Sequence, residues 1–223
     1  MPKFLNASLT LILVLIIFSS CNMQKKTFEL ELPKVYKDIT NIEAYASCQG
    51  PNGSYKTTVK NQADGTYEFR QDFSYRDHPF HGIVTANNEG FLIDSLGNRA
   101  DTLSREVVEI LRSHAFHKIH VDPDYAFTNI QMDRSEGGSS VFEAVDRLGN
   151  PVSIIYDSEN KWISTFEMRN PMDTGERIEV RYTYKEETPF GPLANKLVII
   201  QGGKDVFTFN FDSVFINDQK ITF

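Results

Sequence analysis

Thr66-Tyr67-Glu68-Phe69-Arg70-Gln71-Asp72-Phe73-Ser74-Tyr75-Arg76 decides the fold class. Tyr67, Phe69, Phe73 and Tyr75 fall on one side of an extended chain, and Glu68, Arg70, Asp72 and Arg76 on the other. Strand side chains alternate with period two, so this stretch predicts a strand with one buried and one wet face. Such one-sided burial is characteristic of antiparallel sheets. The pattern recurs over 177–185, where Ile178, Val180, Tyr182 and Tyr184 oppose Arg177, Glu179, Arg181 and Lys185. Near the end of the chain, Phe207, Phe209 and Phe211 alternate with Thr208, Asn210 and Asp212.

Turn signals lie between these runs. Asp94-Ser95-Leu96-Gly97-Asn98 and Asp146-Arg147-Leu148-Gly149-Asn150 share the form Asp-x-Leu-Gly-Asn. Asp157-Ser158-Glu159-Asn160 and Gln201-Gly202-Gly203-Lys204 are two further turns, rich in residues that tolerate positive φ. Punctuation of this kind predicts about twelve strands, a number that must curl or close on itself. Only residues 103–116 read as helix. Ser104 is placed to cap it, with Leu103 and Val108 as a hydrophobic staple and Val107, Ile110, Leu111 and His114 on one face. The expected class is mainly β: one large curved antiparallel sheet with one main helix packed against it.

The first twenty residues differ from the rest. Lys3 is the only charge before Lys25, and Phe4 to Ser20 is an uncharged, largely aliphatic run of 17 residues, short of the ~20 that span a bilayer. A positive start, a short apolar core and small residues before a break describe a secretory signal over 1–20. The break, Phe18-Ser19-Ser20-Cys21, resembles the end of a bacterial lipoprotein signal, in which the Cys becomes the first mature residue and carries acyl chains. That resemblance makes Cys21 the lipid-attachment residue, 21–27 a short tether and 28–223 one domain. Cys48 then has no partner, and its place among Ile42, Ala44 and Ala46 suits a buried thiol.

With residues 1–20 set aside, 203 residues remain, with 22 basic and 30 acidic side chains, a formal charge of −8. An acidic surface argues against nucleic acid, which demands Lys and Arg. Two cysteines cannot make a disulfide scaffold. The same 203 residues hold 15 Phe but 9 Leu, a bias toward strand formers.

Catalytic signatures are missing from the sequence: no Gly-x-Ser-x-Gly, P-loop, Gly-x-Gly-x-x-Gly or His-Glu-x-x-His. No enzyme activity and no cofactor are expected. The five histidines form two clusters, His78-x-x-His81 and His114-x-x-His117-x-x-His120, and His78, His81, His114 and His117 are the candidate metal ligands if the clusters meet. A second candidate is the aromatic sheet face, which one helix cannot cover. Tyr67, Phe69, Phe73, Tyr75, Tyr182, Tyr184, Phe207 and Phe209 would line a cavity for an apolar ligand, or else fill a core.

The C-terminal run Leu197-Val198-Ile199-Ile200-Gln201-Gly202-Gly203, followed by 206–211 and Val214-Phe215-Ile216-Asn217, resembles the LolA/LolB-like superfamily of lipoprotein-handling proteins. That family typically ends in such paired strands and an apolar-x-apolar-Asn segment, and it begins with a helix where residues 28–32 read as strand. The resemblance implies an unclosed β-barrel with a helical lid over a hydrophobic cavity that takes acyl chains of lipoproteins or lipids. Residues 103–116 would be the gate, adding Val107 and Leu111 to the ligand-facing set. It also implies a bacterial envelope location, membrane-anchored through Cys21. Asn22 in place of the Asp that retains some lipoproteins at the inner membrane points to the outer membrane. The alternatives are a filled-core module that binds other envelope proteins, and a histidine metal site.

Overall fold

The computed structural model describes residues 30–169 and 176–223. The expected signal peptide, the lipidated Cys21 and its tether lie outside the described residues. Six strands come first: β1 (Ile42–Gly50), β2 (Gly53–Asn61), β3 (Tyr67–Phe73), β4 (Phe80–Val84), β5 (Gly90–Ile93) and β6 (Arg99–Leu103). Two short helices follow, α1 (Arg105–Arg112) and α2 (Phe116–Val121). The remaining strands are β7 (Phe127–Glu136), β8 (Ser139–Asp146), β9 (Pro151–Asp157), β10 (Trp162–Arg169), β11 (Arg177–Lys185), β12 (Leu193–Gln201), β13 (Lys204–Ile216) and β14 (Gln219–Thr222).

All fourteen strands join one antiparallel sheet, in the order β6-β5-β4-β3-β2-β1-β13-β12-β11-β10-β9-β8-β7, with β14 on β13. The edges β6 and β7 do not pair, so the barrel stays open. The expected count of about twelve is short by two, since small strands such as Gln219–Thr222 carry too little alternation to register.

The topology explains where the helices lie. The chain leaves the sheet at one edge, β6, and re-enters at the other, β7, so the segment between must cross a face. Thirteen flat strands would measure about 58 Å across at ~4.8 Å per neighbour. Residues 104–126, with their helical turns, reach at most about 50 Å. The sheet is therefore curled around the crossover. Register shifts at Tyr45/Ala46, Ile163/Thr165, Thr183/Tyr184 and Ile199/Ile200 mark bulges that sharpen the bend.

Rows of cross-strand neighbours run along the inner face. One reads Phe73, Tyr55, Cys48, Phe209, Leu197, Tyr182 through five strand pairings. Cys48 is buried in it, as a core thiol should be. Its S–H donates to Thr57 Oγ1 at 3.3 Å, and burial pushes its pKa up to about 12.

The two Asp-x-Leu-Gly-Asn segments are the same turn twice. Asp94 Oδ1 accepts from the N–H groups of Leu96 at 2.9 Å and Asn98 at 2.8 Å. Asp146 Oδ1 accepts from Leu148 and Asn150 at the same distances. Gly97 and Gly149 supply φ of 84° and 92°, where a side chain would be strained.

Two expectations are corrected. Residues 30–32 form no strand; a 3₁₀ turn, Lys34–Asp38, follows them. The helix expected over 103–116 spans only Arg105–Arg112. Leu103 ends β6, and Ser104 caps α1 by accepting from Val107 N–H at 3.4 Å. At the other end the Ile110 carbonyl is taken by the Ser113 hydroxyl at 2.6 Å and the His114 ring at 2.8 Å. Those side chains satisfy the last turn locally, and the chain redirects into α2.

Asn217 gives the apolar-x-apolar-Asn ending its physical role. Its Oδ1 accepts from Thr40 and Asn41 N–H at 3.0 and 3.1 Å, and its Nδ2 donates to Asp38 O at 2.8 Å. The last hairpin is thereby clamped to the start of the domain.

Candidate functional site

The inner face under the two helices holds two hydrophobic clusters. The smaller contains Val59, Tyr67, Phe69, Val84, Val108, Leu111 and Ala115. Here α1 is seated on glycines. A Cβ on Gly90 would lie 2.4 Å from Val108 Cγ2, and one on Gly82 would lie 2.9 Å from Leu111 Cδ1. The absent side chains open the groove into which α1 fits.

The buried stripe of α1 is Val108, Leu111 and Arg112, continued by Ala115. This is an i, i+3, i+4, i+7 pattern, rotated from the expected Val107, Ile110, Leu111 and His114. Ile110 is 37% exposed, and Arg112 is only 5% exposed. An arginine counted as polar concealed the true phase. The sequence signal was there in the small Ala115, one heptad after Val108.

The larger cluster lies under α2, whose Phe116, Ile119 and Val121 enter it. Two histidines are buried with them. His117 Nε2–H donates to Ala194 O at 2.7 Å, with its ring edge-on to Phe211 at 4.4 Å. His120 Nε2 meets Tyr36 OH at 2.8 Å, and its Nδ1 meets Tyr184 OH at 3.1 Å. The same hydroxyls also reach backbone carbonyls, Tyr36 to Pro192 and Tyr184 to Ile163. Burial holds His117 down to about 4, and burial with the neighbouring His117 holds His120 down to about 3. A neutral imidazole brings one N–H, so four links around His120 share three protons.

Between the helices and β10–β11 lies an apolar cavity of about 90 Å³. Ile110, Phe116 and Ile119 form its helix side; Phe166, Val180 and Tyr182 form its sheet side. Leu148, in the second Asp-turn, stands at the wall and is 38% exposed. Arg112, Arg147 and Arg169 also border it, with Glu109 and Asp146.

The expected ligand-facing residues separate. Tyr182 lines the cavity. Tyr67, Phe69, Phe209 and Leu111 are buried in packed core, and Val107 lies half-buried beside them. Tyr184 is tied to His120 and stacks on Trp162 at 4.7 Å. Phe73 and Phe207 border the larger cluster, and Tyr75 is exposed beyond the end of β3.

The four histidines named as metal ligands are not brought together. His78 is exposed, His81 pairs with Glu68 at 2.9 Å, His114 is bound to Ile110 and His117 to Ala194. Among the described residues no group of three or more His, Cys, Asp or Glu is arranged to hold a metal. None of their helices is long and apolar enough to cross a membrane.

Two solved structures resemble this architecture along most of its length. One is a LolA superfamily protein from Nitrosomonas europaea: TM-score 0.56, 12% identity, 86% of this chain and 90% of that one. The other is a putative outer membrane lipoprotein-sorting protein domain from Vibrio parahaemolyticus: TM-score 0.54, 10% identity, 79% and 85%. No protein-family model and no curated protein matches the sequence. At these identities the likeness establishes the fold, and the fold is LolA-like.

Proposed function

We propose that this chain is a lipid-anchored envelope protein that binds acyl chains of a lipoprotein or lipid beneath α1 and α2, without catalysing a reaction. The observation that carries the reading is the apolar cavity between the helices and β10–β11, roofed by a helix that rests in a glycine groove. At about 90 Å³ it is far below the ~300 Å³ of a small-ligand pocket. The structure is thus read as the closed state, and occupancy requires α1 to lift from Gly82 and Gly90. Lifting would expose Val108 and Leu111 and extend the cavity over Tyr67 and Phe69. The Vibrio structure's description as a putative lipoprotein-sorting domain supports the same reading. The lipoprotein-like break before Cys21, with Asn22 after it, supports an outer-membrane anchor and a periplasmic domain.

A specific observation favours a second reading. Tyr67, Phe69 and Phe209 are at most 2% exposed, as in a permanently filled core that serves other envelope proteins. Lipid extraction and native mass spectrometry of the purified protein separate the two. Co-purifying lipid, or a mass shift with an added acyl probe, is the outcome for the first reading. A bare protein that no acyl probe shifts would overturn it.

A further inference from the structure

Arg112 stands in the last turn of α1 and borders the cavity, yet it is 5% exposed. Among the described residues its guanidinium makes no ion pair. Its Nη2 reaches Thr85 O only at 3.5 Å, and its Nε has no hydrogen-bond partner. Buried charge without a counter-charge is costly, and such groups concentrate at binding sites.

The neighbourhood holds two further cations, of which Lys118 is already paired with Asp122 at 2.7 Å. The guanidinium lies 5.4 Å from the Tyr125 ring centre, and Lys118 Nζ lies 5.9 Å from it. Arg147 Nε donates to Tyr125 O at 2.8 Å. The Tyr67 hydroxyl is also buried without a hydrogen-bond partner, and the buried Tyr125 hydroxyl lies against the Arg112 guanidinium without a well-formed hydrogen bond. Burial pushes both phenols above their ordinary range, and the Arg112 charge pulls against that shift in each. Two acids share the cavity wall. Asp146 is spent on its own turn, bonding Leu148 N, Asn150 N and Asn150 Nδ2. Glu109, one turn before Arg112, makes no ion pair with it among the described residues, although its charge acts on the Tyr125 phenol.

We propose that Arg112, with the hydroxyls of Tyr125 and Tyr67, receives the oxyanion head of an amphiphile whose tail occupies the cavity: a long-chain carboxylate or a single-chain phosphate lipid. This rests on the acyl-chain reading and adds the head-group class. A guanidinium offers paired N–H donors to two oxygens of either anion, and the phenols can donate to the remaining lone pairs. Hydrophobic contact holds the tail, and the oxyanion satisfies the buried charge.

The test uses the full chain in bacterial membranes and three photoactivatable C16 probes, a carboxylate, the corresponding alcohol and a lysophosphatidate. Labelled cavity peptides are quantified by mass spectrometry. The expected result is at least tenfold stronger labelling by a charged probe than by the alcohol. In Arg112→Gln that preference should vanish while alcohol labelling remains, and Arg112→Lys should keep part of it. Tyr125→Phe should weaken the preference severalfold if neither Arg112 variant folds. Stronger labelling by the carboxylate or by the phosphate probe supports the site and names its source. Labelling of wild type that is no stronger with either charged probe than with the alcohol overturns the head-group proposal and leaves acyl-chain binding standing. No labelling of cavity peptides by any probe overturns both.

Discussion

His120 has no exposed surface, and its imidazole is held between Tyr36 and Tyr184. His117, one turn earlier, is equally enclosed by Ala194 and Phe211. Both fold as neutral rings with pKa values below the ~6.5 of an unfolded chain, so the unfolded state binds protons first as pH falls. Their contribution to stability is complete above ~6.5 and is lost as pH falls toward about 4 and about 3. At pH 5 the loss is on the order of 2 kcal/mol per histidine. Thermal unfolding should show Tm falling between pH 7.5 and 5, with a shallower slope in His120→Asn. Equal slopes in the two proteins would contradict the neutral, buried assignment. Arg112 makes the opposite residue-scale case. Replacing an uncompensated buried guanidinium with Met should raise Tm by roughly 2–4 °C without ligand. An unchanged or lower Tm would mean that the charge is already compensated in the free protein.

For α1 the deciding contacts come from β4 and β5. Eight residues make a marginal helix in isolation, so docking has to hold it. Gly82 and Gly90 provide the seat, and Gly90→Val would drive a side chain into Val108 and Leu103. Overpacking of this kind costs about 1–3 kcal/mol. The expected outcome is a Tm several degrees lower, faster proteolysis within 104–126 and stronger acyl-probe labelling of the inner face. Wild-type proteolysis and labelling would show that α1 does not depend on this seat. The strands were legible because alternation survives any tertiary arrangement, as Tyr67 and Phe69 illustrate. The phase of α1 was not, because an arginine in the buried stripe reads as a surface residue. Nor was the break at Ser113 and His114, where side chains capture the Ile110 carbonyl.

Across the whole molecule, two meanders pair at β1 and β13, and the crossover from β6 to β7 becomes the roof over their common face. Roof, cavity and curl are consequences of one connection. The proposed anchor belongs to the same scale, since acylation of Cys21 would hold the domain at a lipid surface. One acyl chain gives marginal membrane attachment, and more than one gives stable attachment. Metabolic labelling with an alkynyl fatty acid should mark the wild-type protein and not Cys21→Ala, and the mature protein should begin at an acylated Cys21. A mature terminus elsewhere, with no label, would refute the anchor.

Local chemistry in the sequence by itself determined the strand alternation, the twin Asp-turns and the Ser104 cap, since each depends on residues a few positions apart. Tertiary structure alone decided which aromatic residues are packed core and which border a cavity. It also decided that the histidine clusters part, and that Arg112 is enclosed with no ion-pair partner among the described residues. Those outcomes depend on neighbours as distant as Cys48 and Phe209 or Tyr36 and His120. Burial is set by what the curled sheet and its crossover bring together, and no window of sequence contains both sides of such a contact.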